Sequence, residues 1–247
     1  MPAAVSATDA AFPARNAPRA AFGAWRSEAC IEAPWASQHL TGRARILDIG
    51  FTLASLDHLG VLLGLAARGA RIEAVDAIPP ERVAGRYPDA WRDAALAVPV
   101  HVGALETLDL PVGAFDAVAC ISALEHLGFE GETRPADASA RIVAQAARLV
   151  APGGVLVVTV PMGSGGPRRL VDDAAPWSAT IWEHSPAEWR AMLKASGLAL
   201  REQRFFEWLG ETEGWRETSG AEDLAGVSCA GLCHAAGVAV AVLDRPA

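Results

Sequence analysis

Short apolar runs that end on an acid or a glycine alternate along this chain with stretches whose apolar residues recur at helical spacing. ARILDIG at 44–50 reads as a buried strand closing on Asp48 and Gly50. HLGVLLGLAARGA at 58–70 has helical spacing and stops at Gly69. RIEAVD at 71–76 is a second strand ending in an acid, after which Pro79-Pro80 turns the chain into a short helix over PERVAGRY. VPVHVG at 98–103 and FDAVACIS at 115–122 read as the third and fourth strands, the latter apolar enough to be covered on both faces. Residues 137–150 form an amphipathic helix, Pro152-Gly153-Gly154 turns, and GVLVVTV at 154–160 is the fifth strand. SPAEWRAMLKASG at 185–197 starts with a serine cap and a proline and stops at a glycine. LALREQRFFEWL at 198–209 and GVAVAVLD at 237–244 close the series.

These seven strands with intervening helices predict an α/β fold, a doubly wound and mostly parallel seven-stranded sheet of Rossmann-like type. The last two strands have no helix between them and are expected to pair antiparallel at the sheet edge. Residues 1–43, rich in alanine and proline at the start, read as an N-terminal arm, partly flexible or covering the site, ahead of one domain over 44–247.

Composition narrows the function classes. With 51% hydrophobic residues the chain can bury a sizeable core. The net charge of -8 and the scattered basic residues argue against a nucleic-acid groove or an anionic membrane surface. No apolar run reaches the roughly 18–20 residues of a bilayer span, and the start lacks the pattern of a secretory signal. A cytoplasmic protein is expected. Cys30, Cys120, Cys229 and Cys233 lack disulfide or zinc spacing even with His234 beside Cys233, so no metal is expected.

Ligands of an open α/β sheet bind beyond the carboxyl ends of its strands. Those ends carry Asp48-Ile49-Gly50, Asp76-Ala77, Gly103-Ala104-Leu105 and Ser122 through His126. An acid such as Asp76 suits the neighbouring hydroxyls of a ribose. The loop Gly50-Phe51-Thr52-Leu53-Ala54 lacks the glycine fingerprint of a dinucleotide site, and Asp48 would oppose a diphosphate. A phosphate-free cofactor carrying an ammonium and a sulfonium would sit comfortably beside that acid.

These residues carry a resemblance to the class I S-adenosylmethionine-dependent methyltransferases, of small-molecule type. ILDIG (46–50) and EAVDAIPPE (73–81) are similar to the first two motifs of that family. The segment from Gly103 to Gly128 resembles its central stretch ending in LEH, and PGGVLVVTVP (152–161) its fifth-strand motif. The resemblance covers roughly residues 44–161 and implies S-adenosylmethionine as cofactor. It implies that Asp48, Gly50 and Phe51 line the methionine part, that Asp76 takes the ribose hydroxyls, and that Ala77 or Ile78 packs on adenine. Ala104 and Leu105 would flank the base from its other side, and Ser122, Leu124, Glu125 and His126 would border the reacting methyl group. The family has more glycine in the first loop, and relatives often place an acid where Ala104 stands.

His126 is the candidate general base, since imidazole accepts a proton near neutral pH. Glu125 is its orienting partner or a contact to the cofactor amine, and His184 in WEH could reach the same cleft. His58 and His101 read as structural. Trp177, Trp182, Trp189, Trp208 and Trp215 suit either core packing or a ring-shaped acceptor. Gly163-Ser164-Gly165-Gly166 with Arg168-Arg169 reads as a flexible loop or a lid meeting an anionic acceptor. The expected activity is methyl transfer to an oxygen, less readily a nitrogen, of a small molecule such as a sugar or natural product. The alternative is a catalytically inactive partner or regulatory subunit; an NAD enzyme is a third reading. The expected partners are the small-molecule acceptor and a second copy or another protein.

Overall fold

In the computed structural model, which describes residues 27–129, 133–169, 180–229, 232 and 234–247, the strand–helix alternation builds one large sheet. β1 (Arg45–Ile49), β2 (Arg71–Asp76), β3 (Val100–Val102), β4 (Phe115–Ile121) and β5 (Val150–Pro161) are parallel, in the order β3-β2-β1-β4-β5. β6 (Gly166–Arg169) and β7 (Thr180–Glu183) form a separate antiparallel hairpin. β8 (Ala199–Trp208), β9 (Trp215–Glu217) and β10 (Gly237–Asp244) complete the large sheet. β10 lies between β5 and β8, antiparallel to both, and β9 pairs on the outside of β8.

The sheet therefore has eight strands, not the seven expected, and its outer edge is β9. β9 spans three residues, too few for an alternating pattern to register. The expected antiparallel pair of the last two long strands is present, one position inside that edge.

The helices are α1 (Ala29–Leu40), α2 (Leu56–Ala67), α3 (Asp89–Leu96), α4 (Ala138–Leu149) and α5 (Pro186–Ala195). Ser55 caps α2 by accepting from the His58 amide, and Ser185 with Glu188 forms a reciprocal capping box on α5. Strand alternation sorts the core into two layers. Ile46, Ala74, Ala117, Val157 and Val240 face α1 and α2, where Ile31, Trp35, Leu62 and Leu65 meet them. Leu47, Val118, Leu156 and Ala239 face α4 and α5, against Ile142, Ala146, Trp189 and Met192.

α1 lies within the stretch read as an arm over 1–43. Its Ile31, Trp35, Ala36 and Leu40 are fully buried, and each large apolar side chain of this kind contributes about 1.5–3 kcal/mol. The segment from Ala29 is thus part of the folded core. Residues 1–26, together with Trp177 and Cys233, lie outside the described residues.

Strand order reverses between β1 and β4. The chain moves outward from β1 to β2 and β3, then returns to the far side of β1. The crevice at the carboxyl ends of these strands is where such a fold binds ligands. Among the described residues, no helix is long and apolar enough to cross a membrane.

Candidate active site

The first loop leaves β1 through Gly50, whose φ of 93° lies in the left-handed region. A Cβ there would come within 2.6 Å of the Ala123 Cβ, so the close approach of two strand ends requires glycine. Beyond it the loop folds inward. Phe51 and Thr52 are each 1% exposed, and Phe51 joins the core layer on the α1 and α2 face. The structure thus puts Phe51 into the core, where sequence reasoning placed it beside the methionine part of a cofactor.

Asp76 ends β2 and anchors this loop. Its Oδ2 accepts from the Thr52 amide at 2.9 Å and its Oδ1 from the Ile78 amide at 2.9 Å. The Thr52 hydroxyl donates to the Ile78 carbonyl at 2.6 Å, and the Tyr87 hydroxyl donates to the Thr52 carbonyl at 3.2 Å. Each Asp76 oxygen retains a second lone pair. Ala77 and Ala104 are exposed beside it, whereas Leu105 is buried.

Asp48, one residue before the end of β1, is 1% exposed and faces α2. Its Oδ1 lies 2.8 Å from His58 Nε2. A carboxylate only accepts, so Nε2 carries the proton. The other oxygen of Asp48, Oδ2, and the other nitrogen of His58, Nδ1, are buried without a hydrogen-bond partner. His58 is 3% exposed, so a side chain read as structural reaches the acid of the first motif.

After β4 the chain turns at Ser122, whose φ of 48° makes it the only non-glycine in the left-handed region among the described residues. Such strain costs about 1–3 kcal/mol and concentrates at functional sites. The turn is held by named bonds. The Ser122 amide donates to Thr159 Oγ1 at 2.9 Å, and the Ser122 hydroxyl donates to Glu125 Oε1 at 2.7 Å. Leu124–His126 form a single 3-10 turn that buries Glu125, 3% exposed, and exposes His126. Glu125 Oε2 is a further buried atom without a partner.

Arg134, which sequence reasoning missed, clamps this turn. Its guanidinium donates to the Leu127 carbonyl at 2.8 Å, the Leu124 carbonyl at 3.1 Å and the Ser139 hydroxyl at 2.5 Å. It also lies 5.1 Å from the Trp182 ring centroid, a cation–π contact. The Ser139 hydroxyl meets His184 Nε2 at 2.7 Å. His184 is fully buried, and burial followed by the nearby Arg134 charge lowers its pKa to about 4. Expected as a catalytic residue, His184 is instead a neutral strut beneath the LEH turn.

The arginine pair of the glycine-rich loop is also accounted for in part. Arg168 pairs with the buried Glu183 at 3.2 Å, and Glu183 accepts from the Cys229 amide at 2.9 Å. Trp189 and Trp215 are core residues, and Trp182 donates to Glu188. Burial pushes the Cys30 and Cys229 thiols up to about 12, leaving neither as a nucleophile.

Asp48, Gly50, Asp76, Ser122, Glu125 and His126 thus lie at the carboxyl ends of β1, β2 and β4, while the Phe51 and His184 side chains are buried. Residues 59–158 match a family model described as a methyltransferase domain. No curated protein sequence matches the chain. Among solved structures, a Methanosarcina mazei S-adenosylmethionine-dependent methyltransferase aligns over 86% of this chain and 97% of its own, with 16% identity and a TM-score of 0.55. The Burkholderia thailandensis 1,6-didemethyltoxoflavin N1-methyltransferase, solved with its substrate and S-adenosylhomocysteine, aligns over 87% and 77%, with 17% identity and a TM-score of 0.51. The cyclase SpnF aligns over 86% and 79%, with 17% identity and a TM-score of 0.53. A cyclase in this company illustrates that likeness at such identities speaks for the fold and not for the reaction. Residues 59–158 thus resemble a methyltransferase domain, and the chain shares the Rossmann-like fold of these structures.

Proposed function

We propose that the protein binds S-adenosylmethionine and transfers its methyl group to an oxygen of a small molecule. The observation that carries this reading is the set of acids at the strand ends: Asp48 with a free buried oxygen, Asp76 at the end of β2, and Glu125 with a free buried oxygen beside the exposed His126. Unpartnered buried carboxylate oxygens suit a ligand that brings N–H and O–H donors and positive charge, and so fit this cofactor.

When bound, the cofactor supplies an electrophilic methyl group on a positively charged sulfur. Asp48 would accept from the ammonium of its methionine end through Oδ2. Asp76 would accept from the ribose hydroxyls with the lone pairs that the Thr52 and Ile78 amides leave free. Ala77, Ile78, Ala104 and Leu105 would border the adenine of the cofactor. His126 would take the proton from the acceptor hydroxyl as that oxygen gains its methyl group. Glu125, fixed by Ser122, sits within the same turn and would offer its second oxygen to a donor of the bound cofactor.

Titration of the purified protein with S-adenosylhomocysteine by calorimetry tests the reading. Micromolar binding is the expected outcome, with Asp76→Ala weakening it by about 1–3 kcal/mol. Absence of binding at millimolar concentration overturns it. A second reading, a methyltransferase-like partner subunit without activity, draws on one observation: the first loop already lays the Thr52 amide on Asp76 and buries Phe51. That reading predicts no cofactor binding and a stable complex with another protein.

A further inference from the structure

From Val155 to Val160, β5 is apolar except at Thr159, whose side chain is fully buried. Valine would fill the same space, and a buried hydroxyl costs free energy unless it is hydrogen-bonded. The Thr159 hydroxyl is bonded twice. It accepts from the Ser122 amide at 2.9 Å and donates to Glu32 Oε1 at 2.6 Å, joining α1 to the turn after β4. Ser122 then donates through its own hydroxyl to Glu125 Oε1 at 2.7 Å. Residues from α1, β5 and the LEH turn, distant in sequence, therefore form one hydrogen-bonded series. It ends on Glu125, whose other oxygen, Oε2, is buried without a partner.

The direction of each bond follows from the groups that make it. A hydroxyl has one proton to give, so the Thr159 proton that goes to Glu32 leaves its lone pairs for the Ser122 amide. Without Glu32 the hydroxyl is free to rotate, and its lone pairs lose their aim. Ser122 needs this hold, because its φ of 48° lies in the left-handed region, which persists only where surrounding contacts over-determine it. Arg134 grips the Leu124 and Leu127 carbonyls of the turn, whereas Ser122 holds the Glu125 side chain itself. Burial, followed by the charges of Glu28 and Glu125, holds the Glu32 carboxyl well above the usual carboxylate range. A carboxyl so raised keeps its proton more readily, and accepts from Thr159 with less negative charge set against Glu125.

We propose that Thr159 and Glu32 are positioning residues of the cofactor site: they fix the Ser122 turn and, through it, the free oxygen of Glu125. This role rests on the methyltransferase reading, in which Glu125 meets a bound S-adenosyl cofactor, and adds the residues that hold it there. Thr159 and Glu32 act on the ligand only through Glu125, so their effect on binding disappears when the Glu125 side chain is removed.

The test is calorimetric titration of the full chain with S-adenosylhomocysteine, with Tm recorded for every variant. Thr159→Val is expected to weaken binding at least about tenfold, and Thr159→Ser, which returns the hydroxyl, to restore it to within about threefold of wild type. Glu125→Ala is expected to weaken binding at least about tenfold on its own. In that background Thr159→Val is expected to change affinity by less than about twofold. A merely structural Thr159 lowers Tm and leaves its effect on binding the same with and without Glu125. Glu32→Leu and Glu32→Gln repeat the loss and the rescue at the other end, the glutamine keeping an acceptor for Thr159, and take the place of the Thr159 variants should Thr159→Val not fold. Undiminished binding in Thr159→Val, a loss that serine does not reverse, unchanged affinity in Glu125→Ala, or equal losses in both backgrounds overturns the positioning role. Failure of the wild-type protein to take S-adenosylhomocysteine overturns the methyltransferase reading instead.

Discussion

Replacing His58 with leucine isolates the acid of the first motif. In the wild-type protein Asp48 is 1% exposed and has one partner, His58 Nε2 at 2.8 Å. Leucine fills nearly the same space but donates nothing, so Asp48 is left with both oxygens buried and unbonded. Removing one member of a buried pair costs about 3–5 kcal/mol, most of it for stranding the other charge. For a domain of this size each kcal/mol lowers Tm by about 2–4 °C, so a fall of about 6–20 °C is expected. Chemical denaturation with an unchanged m value reads the same loss. His58→Gln, which restores an N–H donor, is expected to recover more than half of it. Replacing both residues with leucine is expected to cost less than His58→Leu alone, because no charge is then stranded. A His58→Leu variant within about 1 kcal/mol of wild type, or a double variant costing the sum of the single ones, refutes the argument. Ligand binding adds a second readout. Without His58 nothing fixes the Asp48 carboxyl in its orientation, so S-adenosylhomocysteine affinity falls in His58→Leu. Methylthioadenosine, which lacks the amino-acid end, is expected to bind as it does to wild type.

Arg134→Met keeps the stem and removes the donors to the Leu124 and Leu127 carbonyls and to Ser139; each such bond contributes about 1.5–3 kcal/mol. The expected result is a loosened LEH turn, seen as a kcat falling at least about tenfold while S-adenosylhomocysteine affinity holds; equal kcat refutes the positioning role. The pH dependence of stability has two limbs. His184, lowered to about 4 by burial and Arg134, binds its proton less readily folded than unfolded, so its contribution is present above about pH 6.5 and is lost as pH falls through about 4. His184→Gln is expected to flatten that acid limb in urea titrations. Glu32, raised by burial and by Glu28 and Glu125, contributes most below the ordinary carboxylate range, and that contribution declines as pH rises through its folded value. Glu32→Gln is expected to remove this decline, and an unaltered profile in either variant refutes the assignment.

Much of the fold could be read from local pattern. The runs at 46–49, 115–121 and 154–160 are largely apolar because both faces of each strand are covered, and the structure places β1, β4 and β5 there. α5 announced itself through Ser185, Pro186 and Glu188, whose capping box forms as such a sequence requires. α1 was hidden for a local reason. Pro34 stands in its middle, Glu32 sits on it and Glu28 flanks its start, features of an exposed segment, yet tertiary packing buries Trp35 and Ile31. A proline removes one backbone donor and a like-charge pair repels, so the helix owes its stability to the sheet it covers and not to its own sequence.

The site divides along the same line. Asp48, Asp76 and Ser122 through His126 were legible because strand ends are places in the chain, and a strand end at a switch point is a ligand end. Their partners were not. His58 meets Asp48 only because α2 folds back over β1, and Thr159 meets Glu32 across 127 residues of sequence. Periodicity records which face a side chain takes, not what waits on that face. His126 and His184 make the contrast within one residue type. Each follows a glutamate, in LEH and in WEH, yet one lies exposed in the crevice while the other is sealed behind Ser139 and Arg134. What separates a candidate base from a strut is therefore the water around it, since a buried imidazole beside a guanidinium stays neutral and has no proton acceptor's role to play at the cleft.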